Sequence, residues 1–300
     1  MVLKNLSDLK NIAVNGPKRK LILAAAQDKD CLAAVIKAWQ DGVIEPVLVG
    51  DESNIREICD ANHFNIDGIS VVNEPDIETA VQTSVRLVHN KEGDILMKGK
   101  AGTSTILKSV LDKQWGLRSG RLLSHIALFE VEAYSKVFAV TDVAMNIAPK
   151  LKEKIAILNN SVSCLNALGY KCPKVAILGA VEMVNENMEA TLDAALLSKM
   201  NQREQIKNCI IDGPLAFDNA VSYESAIQKG IKSEVAGDTD LLLMPDIEVG
   251  NVLYKSLVFF AKAKVASMIL GAIVPIVLTS RSDSEQSKYF SVLLAAGATK

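Results

Sequence analysis

Five short apolar runs in this chain end alike, in a knot of small, hydroxylated or charged residues. They are DILMKGKAGTST (94–105), VFAVTDVAMN (137–146), CIIDGPLAFD (209–218), LLLMPDIEVGN (241–251) and IVLTSRSD (276–283). A short apolar run bounded by turn residues reads as a buried strand. Where helical patterns separate such runs, the chain is held to an α/β fold with largely parallel sheets covered by helices. Open sheets of this kind bind ligands beyond the carboxyl ends of their strands. Taken singly, each knot is a residue capping the next helix; taken together, the five point to one ligand site.

The rest of the chain keeps the same rhythm. A helix over Asn5–Asn15 stops at Gly16-Pro17. A strand (20–28) follows, then a helix (31–40) capped by Asp28 or Asp30, a strand (45–51), helices at 53–62 and 81–90, the strand 94–99 and a helix from Thr103. The runs RLLSHIALFEV (121–131) and KVFAVTDVAMN (136–146) are joined too closely for a crossover and predict an antiparallel hairpin. Beyond Pro149 come a helix (150–168), a strand (174–182), a helix (189–200), a strand (206–213), a helix near 220–230, a strand (238–246) and a helix from Val252 to about Leu270. The strand Ile273–Leu278 closes the series. Ser282 and Glu285 have capping-box spacing, so a last helix starts there, with Gly297 as its stop.

Three hundred residues make one large domain or two ordinary ones. A chain of this size buries roughly 75% of its unfolded surface and needs no disulfide or metal to fold. Five scattered cysteines, none in C-x-x-C spacing, read as reduced packing thiols of a cytoplasmic protein. Charges of both signs are mixed along the chain to a net of −2, which argues against nucleic acid as a partner. No apolar run approaches the ~18 residues of a membrane span, and no signal region opens the chain.

The Gly99–Thr105 loop reads as a phosphate cradle, in which glycines admit backbone amides, Thr103, Ser104 and Thr105 offer hydroxyls, and a helix N-terminus follows. It is neither a Walker A loop nor G-x-G-x-x-G. Lys108, one turn into that helix, can face the same anion or lie in solvent. Ser280, Arg281 and the helix start after them form a second anion-holding strand end. His125 follows Ser124 inside an apolar run, as a core histidine or a site residue. There is no G-x-S-x-G elbow and no zinc-type His/Cys spacing. The residues suggest two anionic substrates held in position, without a covalent enzyme intermediate and without a metal.

The segments KGKAGTSTILK, LLSHIALFE, VTDVAMNIAP, IDGPLAFDNAVS, GDTDLLLMPDIEVGNVLYK and GAIVPIVLTSRSDS, in this order, resemble the phosphate acyltransferases that interconvert acyl-CoA and acyl phosphate. The length, the Ser124-His125 pair and the ending TSRSDS resemble the phosphate butyryltransferase branch. The resemblance implies two three-layer α/β/α domains with an inter-domain cleft, like those of isocitrate and isopropylmalate dehydrogenases. Residues 1–139 plus 271–300 would form the first domain and 140–270 the second. It also implies a homodimer, coenzyme A as substrate with no tightly bound cofactor, and acyl-CoA and inorganic phosphate as partners. Carried over by motif, Ser280 and Arg281 would be catalytic, and Thr103, Ser104, Thr105, Lys108, Ser124, Asp246 and Asn251 would bind substrate; Gly102 of the loop and His125 beside Ser124 join the binding candidates, and Asp283 joins the catalytic ones as the expected base. One departure bears on the base. The acetyl branch has an aspartate seven residues after the motif serine, where this chain has Ser287, and Asp283 stands nearer.

The expected reaction is reversible transfer of a butyryl or branched short-chain acyl group from CoA to phosphate in a ternary complex. Phosphate acetyltransferase is the alternative within the family. A metal- and NAD-dependent hydroxyacid dehydrogenase and a small-anion binding protein are the alternatives outside it.

Overall fold

The computed structural model describes residues 2–280 and 283–299. In chain order the elements are α1 (Asp8–Val14), β1 (Arg19–Ala24), α2 (Lys29–Gln40), β2 (Ile44–Gly50), α3 (Glu52–Ala61), β3 (Ser70–Asn73), α4 (Ile77–His89), β4 (Ile95–Lys98) and α5 (Thr103–Val110). There follow β5 (Ser124–Glu130), β6 (Phe138–Thr141), α6 (Leu151–Ala167), β7 (Lys174–Leu178), α7 (Glu189–Gln202), β8 (Ile210–Leu215), α8 (Phe217–Val221), α9 (Tyr223–Gln228), β9 (Leu241–Leu243) and α10 (Ile247–Phe259). The chain ends with β10 (Lys264–Leu270), β11 (Ile276–Val277) and α11 (Glu285–Ala298).

Two compact units contain these elements. A flanking unit comprises Ser7–Arg121 and Ala266–Lys300, and a middle unit comprises Met1–Leu6 and Leu122–Val265. In the flanking unit the strand order is β3-β2-β1-β4-β11-β10, parallel except for the antiparallel pair β10–β11. In the middle unit it is β5-β6-β9-β7-β8, parallel except for the β5–β6 pair. The expected hairpin is therefore present, with Leu128 opposite Ala139. Central strands are apolar on both faces, as helix-covered parallel sheets require. Leu21, Leu23 and Ala24 of β1 and Ile95, Leu96 and Met97 of β4 are fully buried. The core of the middle unit is built around Phe129, Phe138 and Val140.

Helix starts follow capping chemistry. The carboxylates of Asp28, Asp51, Asp76 and Asp246 accept from the amides of Cys31, Asn54, Thr79 and Val249. Each satisfies one amide that the helix leaves without an internal partner. Because a strand ends just before α2, α3 and α10, these caps mark the carboxyl-end edge of each sheet.

Three expectations are corrected, and one strand was not foreseen. The helix expected from Val252 to about Leu270 is α10 followed by a strand. Ala263 N closes the helix on Leu257 O, Lys262 turns through φ 50°, and Lys264–Leu270 is extended. No Gly or Pro marks that break, and the buried run Val265–Ile269 has no period to separate strand from helix. The strand expected over Ile273–Leu278 is paired only at Ile276 and Val277, though the Pro275 carbonyl accepts from Leu96 N. The last helix is capped by Ser284, which accepts from Ser287 N, and it runs through Gly297 to Ala298. Ser282, expected as the cap, lies outside the described residues, as does Arg281. Finally, β3 was not expected; it is four residues long and only half-buried, so its apolar signal is weak.

Candidate active site

In the flanking unit, β1, β4 and β11 lie side by side and parallel, so their carboxyl ends share one edge. The loop after β4 leaves that edge against β1. Gly99 N and Lys100 N donate to Ala24 O and Ala25 O, both at 2.8 Å. A Cβ on Gly99 would stand 2.2 Å from Ala25 O, so only glycine fits there. Those two amides are thus spent within the protein. Gly102 is the N-cap of α5, and no side chain caps that helix. Its first-turn amides are oriented for an anion. A Cβ at Gly102 would meet nothing nearer than 3.7 Å, so space alone does not demand glycine there.

Thr103, Ser104 and Lys108 are exposed on α5. Ser104, Thr105 and Lys108 line a depression of about 180 Å³ with Glu78, Gln82, Ser109, Asp112 and Trp115. Ser104 and Lys108 are one helical turn apart and so share a face.

Beyond β11, Ser280 and Asp283 are bonded reciprocally. Ser280 N donates to Asp283 Oδ2 at 2.7 Å, and Asp283 N donates to Ser280 O at 3.2 Å. Burial pushes the Asp283 carboxyl above its usual value, while the Ser280 amide, Lys288 and Lys98 pull the other way. Lys98, the last residue of β4, is buried and donates to Gly99 O at 3.0 Å. Lys288 of α11 is also buried; it donates to Asp283 O and pairs with Asp30 at 3.6 Å. Sequence reasoning does not single out Lys288, and it gives Lys98 no role beyond the cluster that opens with it. Lys288 sits in an otherwise apolar helix where spacing gives no cue.

In the middle unit, β5 runs antiparallel to β6, so its first residues lie at the carboxyl-end edge of β6 and β9. Ser124 is fully buried and accepts from Asn160 Nδ2 at 3.0 Å. His125 packs edge-on against Tyr254 with ring centroids 6.3 Å apart, and its carbonyl accepts from Thr141 Oγ1 at 2.7 Å. Its Nδ1 is buried with no hydrogen-bond partner among the described residues. Burial pushes the imidazole down to about 4, against the pull of Asp142. It is therefore neutral near pH 7, a group for hydrogen bonding rather than a cation for phosphate.

Asp142, which sequence reasoning did not single out, organises the next loop. It accepts from Ala144 N and Met145 N, both at 2.9 Å, and from Asn146 Nδ2 at 2.6 Å. Its signal lay in VFAVTDVAMN, as the only acid at that strand end. Asp246 caps α10, and Asn251 Nδ2 donates to Val143 O at 3.2 Å. Ser124, His125, Asp142 and Asn251 thus form one connected polar edge in this unit.

The model of the phosphate acetyl/butaryl transferase family matches residues 5–85 and 76–296. The chain is 46% identical over 278 residues to a phosphate butyryltransferase of Clostridium acetobutylicum, covering 93% of this chain and 92% of that protein. It is 46% identical over 281 residues to a phosphate acetyltransferase of Thermotoga maritima, covering 94% and 95%. A crystal structure of a branched-chain phosphotransacylase from Enterococcus faecalis superposes with a TM-score of 0.81 at 33% identity, over 94% of this chain and 99% of that one. Strand-end clusters in two α/β units and homology along nearly the whole length agree, and the chain belongs to the phosphate acetyl/butaryl transferase family as a phosphate acyltransferase.

Proposed function

We propose that this enzyme transfers a short acyl group, butyryl or a branched analogue, between CoA and inorganic phosphate by direct attack in a ternary complex. The observation that supports the reading is the shared carboxyl-end edge of β4 and β11, from which the chain runs on to the uncapped start of α5 and to the Ser280–Asp283 pair respectively. An oxygen of phosphate attacks the thioester carbonyl, the C–S bond of the resulting tetrahedral intermediate breaks, and CoA leaves as thiolate, which takes up a proton. The first turn of α5 from Gly102, with Thr103, Ser104, Thr105, Lys108 and Arg281, would hold phosphate. Arginine suits this because its planar fork donates two parallel bonds. Ser280 would donate to the developing oxyanion. In the reverse direction Asp283 would accept the thiol proton. From the middle unit, Ser124, neutral His125, Asp246 and Asn251 would contribute to substrate binding.

Coenzyme A is then a substrate rather than a bound cofactor. A cytoplasmic homodimer, with domains of the isocitrate/isopropylmalate dehydrogenase kind, belongs to the same reading. The ending TSRSDS and the branched-chain phosphotransacylase among the similar structures support a longer acyl group. Equal identity to a butyryltransferase and an acetyltransferase keeps phosphate acetyltransferase as the second reading. Release of free thiol from acetyl-, propionyl-, butyryl- and isobutyryl-CoA, with and without phosphate and without divalent metal, tests both. Phosphate-dependent release strongest with a four-carbon chain is expected. Strongest release from acetyl-CoA selects the second reading, and none with any chain overturns both.

A further inference from the structure

Asp283 and Ser280 stand at the end of a two-residue strand, a short support for groups that must be placed accurately. What lies behind them is a lysine. Lys288 is one turn into α11 and its side chain is 3% exposed. A buried ammonium needs a carboxylate and further acceptors to offset its lost hydration. Its acceptor is the main-chain carbonyl of Asp283, and its carboxylate partner is Asp30 at the start of α2, 3.6 Å away.

The helix that carries it is itself fixed. Tyr289 OH donates to Asp41, which also pairs with Lys10, and Lys37 lies 4.7 Å from the centre of the Tyr289 ring. Ser291 Oγ accepts from Ser267 N of β10 at 2.9 Å. An anchored helix therefore reaches out through one side chain to the backbone of the residue that bonds Ser280. An apolar side chain in this position would be simpler to bury, and the ammonium is what lets the helix hold a carbonyl.

We propose that Lys288 is a positioning residue of the enzyme: by binding the Asp283 carbonyl from the anchored α11, it fixes the reciprocal Ser280–Asp283 pair in the geometry the reaction uses. The inference rests on the acyltransferase reading with Ser280 and Asp283 in the site. Among the described residues, the charges that act on Asp283 are Lys288 and Lys98; Asp30 pairs with Lys288, and Asp28 and Cys31 lie at the α2 start near the same two lysines. Removing the Lys288 charge leaves Asp283 with less to favour its ionised form.

The test compares Lys288→Met and Lys288→Arg with the parent enzyme in three readouts. These are kcat and KM for phosphate, the acid limb of the pH–rate profile for acyl phosphate plus CoA (the direction in which Asp283 is the base), and amide hydrogen exchange of the peptide spanning 276–284. Lys288→Met is expected to lower kcat about 10²-fold, the scale of a misplaced reacting group, with KM within about threefold. Its acid limb should move to higher pH, and exchange at 276–284 should quicken. Lys288→Arg should restore the limb and most of kcat. Should Lys288→Met not fold, Asp30→Asn carries the test, because Asp30 is half-exposed. Taking away that negative charge should move the acid limb to lower pH. An unmoved limb with unchanged exchange, or a kcat loss that tracks only global unfolding, overturns the proposal. Failure of the parent enzyme to release thiol would overturn the functional reading instead, while exchange at 276–284 still reports on the hold of Lys288.

Discussion

Asp283 shows how a single residue can set stability against chemistry. Its folded carboxyl titrates above its unfolded value because it is buried. Below the unfolded pKa both states are protonated and nothing is lost. As pH rises through the folded pKa, the buried carboxylate charges and stability falls. Asp283→Asn keeps an oxygen to accept from Ser280 N and removes the charge. At pH 7 the variant should unfold at the same or higher denaturant concentration than the parent, while turnover drops by about 10²-fold, as for a lost acid–base group. Parent-like turnover would take Asp283 out of the mechanism. His125 carries the opposite sign. Its folded imidazole titrates at about 4 because it is buried. From pH 6.5 down to about 4 the unfolded chain binds a proton that the folded chain refuses, which removes about 3 kcal/mol of stability across that window. Replacing it, His125→Gln, should flatten the pH dependence of the denaturant midpoint there; an unchanged slope would place the titration elsewhere. Neither sign is visible in the sequence, where His125 was as compatible with a core residue as with a site residue. The burial that decides it comes from Tyr254, more than a hundred positions away.

Among the elements, α10 shows what the sequence made legible and what it did not. The cap at Asp246 lies in the cluster LLLMPDIEVGN, which marks a strand end and a helix start on local grounds. The end of α10 was not legible, because the turn at Lys262 uses no breaker residue and the next strand is apolar throughout. The alternation of strand and helix was readable because each element carries its own apolar pattern. The bonds that shape the site were not, since Ser124 meets Asn160 and Asn251 meets Val143 only through the fold. Gly250 makes that dependence testable. A Cβ there would stand 2.4 Å from Asp142 O and 3.1 Å from Val143 Cα, both backbone atoms with little room to give. Alanine gains about 1 kcal/mol of helix propensity over glycine. Overpacking costs about 1–3 kcal/mol. The steric term should win, so Gly250→Ala is expected to lower stability by up to about 2 kcal/mol in urea unfolding. Turnover should fall as well, because the loop from Asp142 to Val143 must shift. A variant more stable than the parent would show that α10 can slide to make room.

At the scale of the whole molecule, the chain passes between its two units at residues 6–7, 121–122 and 265–266. The shortest excursion is the first. Residues 1–6 belong to the middle unit although α1, next in sequence, belongs to the flanking one. Physical ties explain the assignment. Leu3 N donates to Tyr170 OH at 3.2 Å, Leu3 O accepts from Val137 N at 2.9 Å, and Leu6 N donates to Glu130 Oε2 at 2.8 Å. The side chains of Leu3 and Leu6 are fully buried. The sequence showed only an ordinary amphipathic start, because partners more than 120 positions away leave no local pattern. A terminal segment without such ties frays readily. This one should act as a structural strap of the middle unit. Leu3→Ala removes a buried side chain at a cost of about 2–5 kcal/mol. Hydrogen exchange should place the weakening at Val137 and around Tyr170, far along the chain, rather than in α1 beside the substitution. Loss of protection confined to α1 would mean that the first six residues support the helix they precede, and that their ties to the middle unit contribute little.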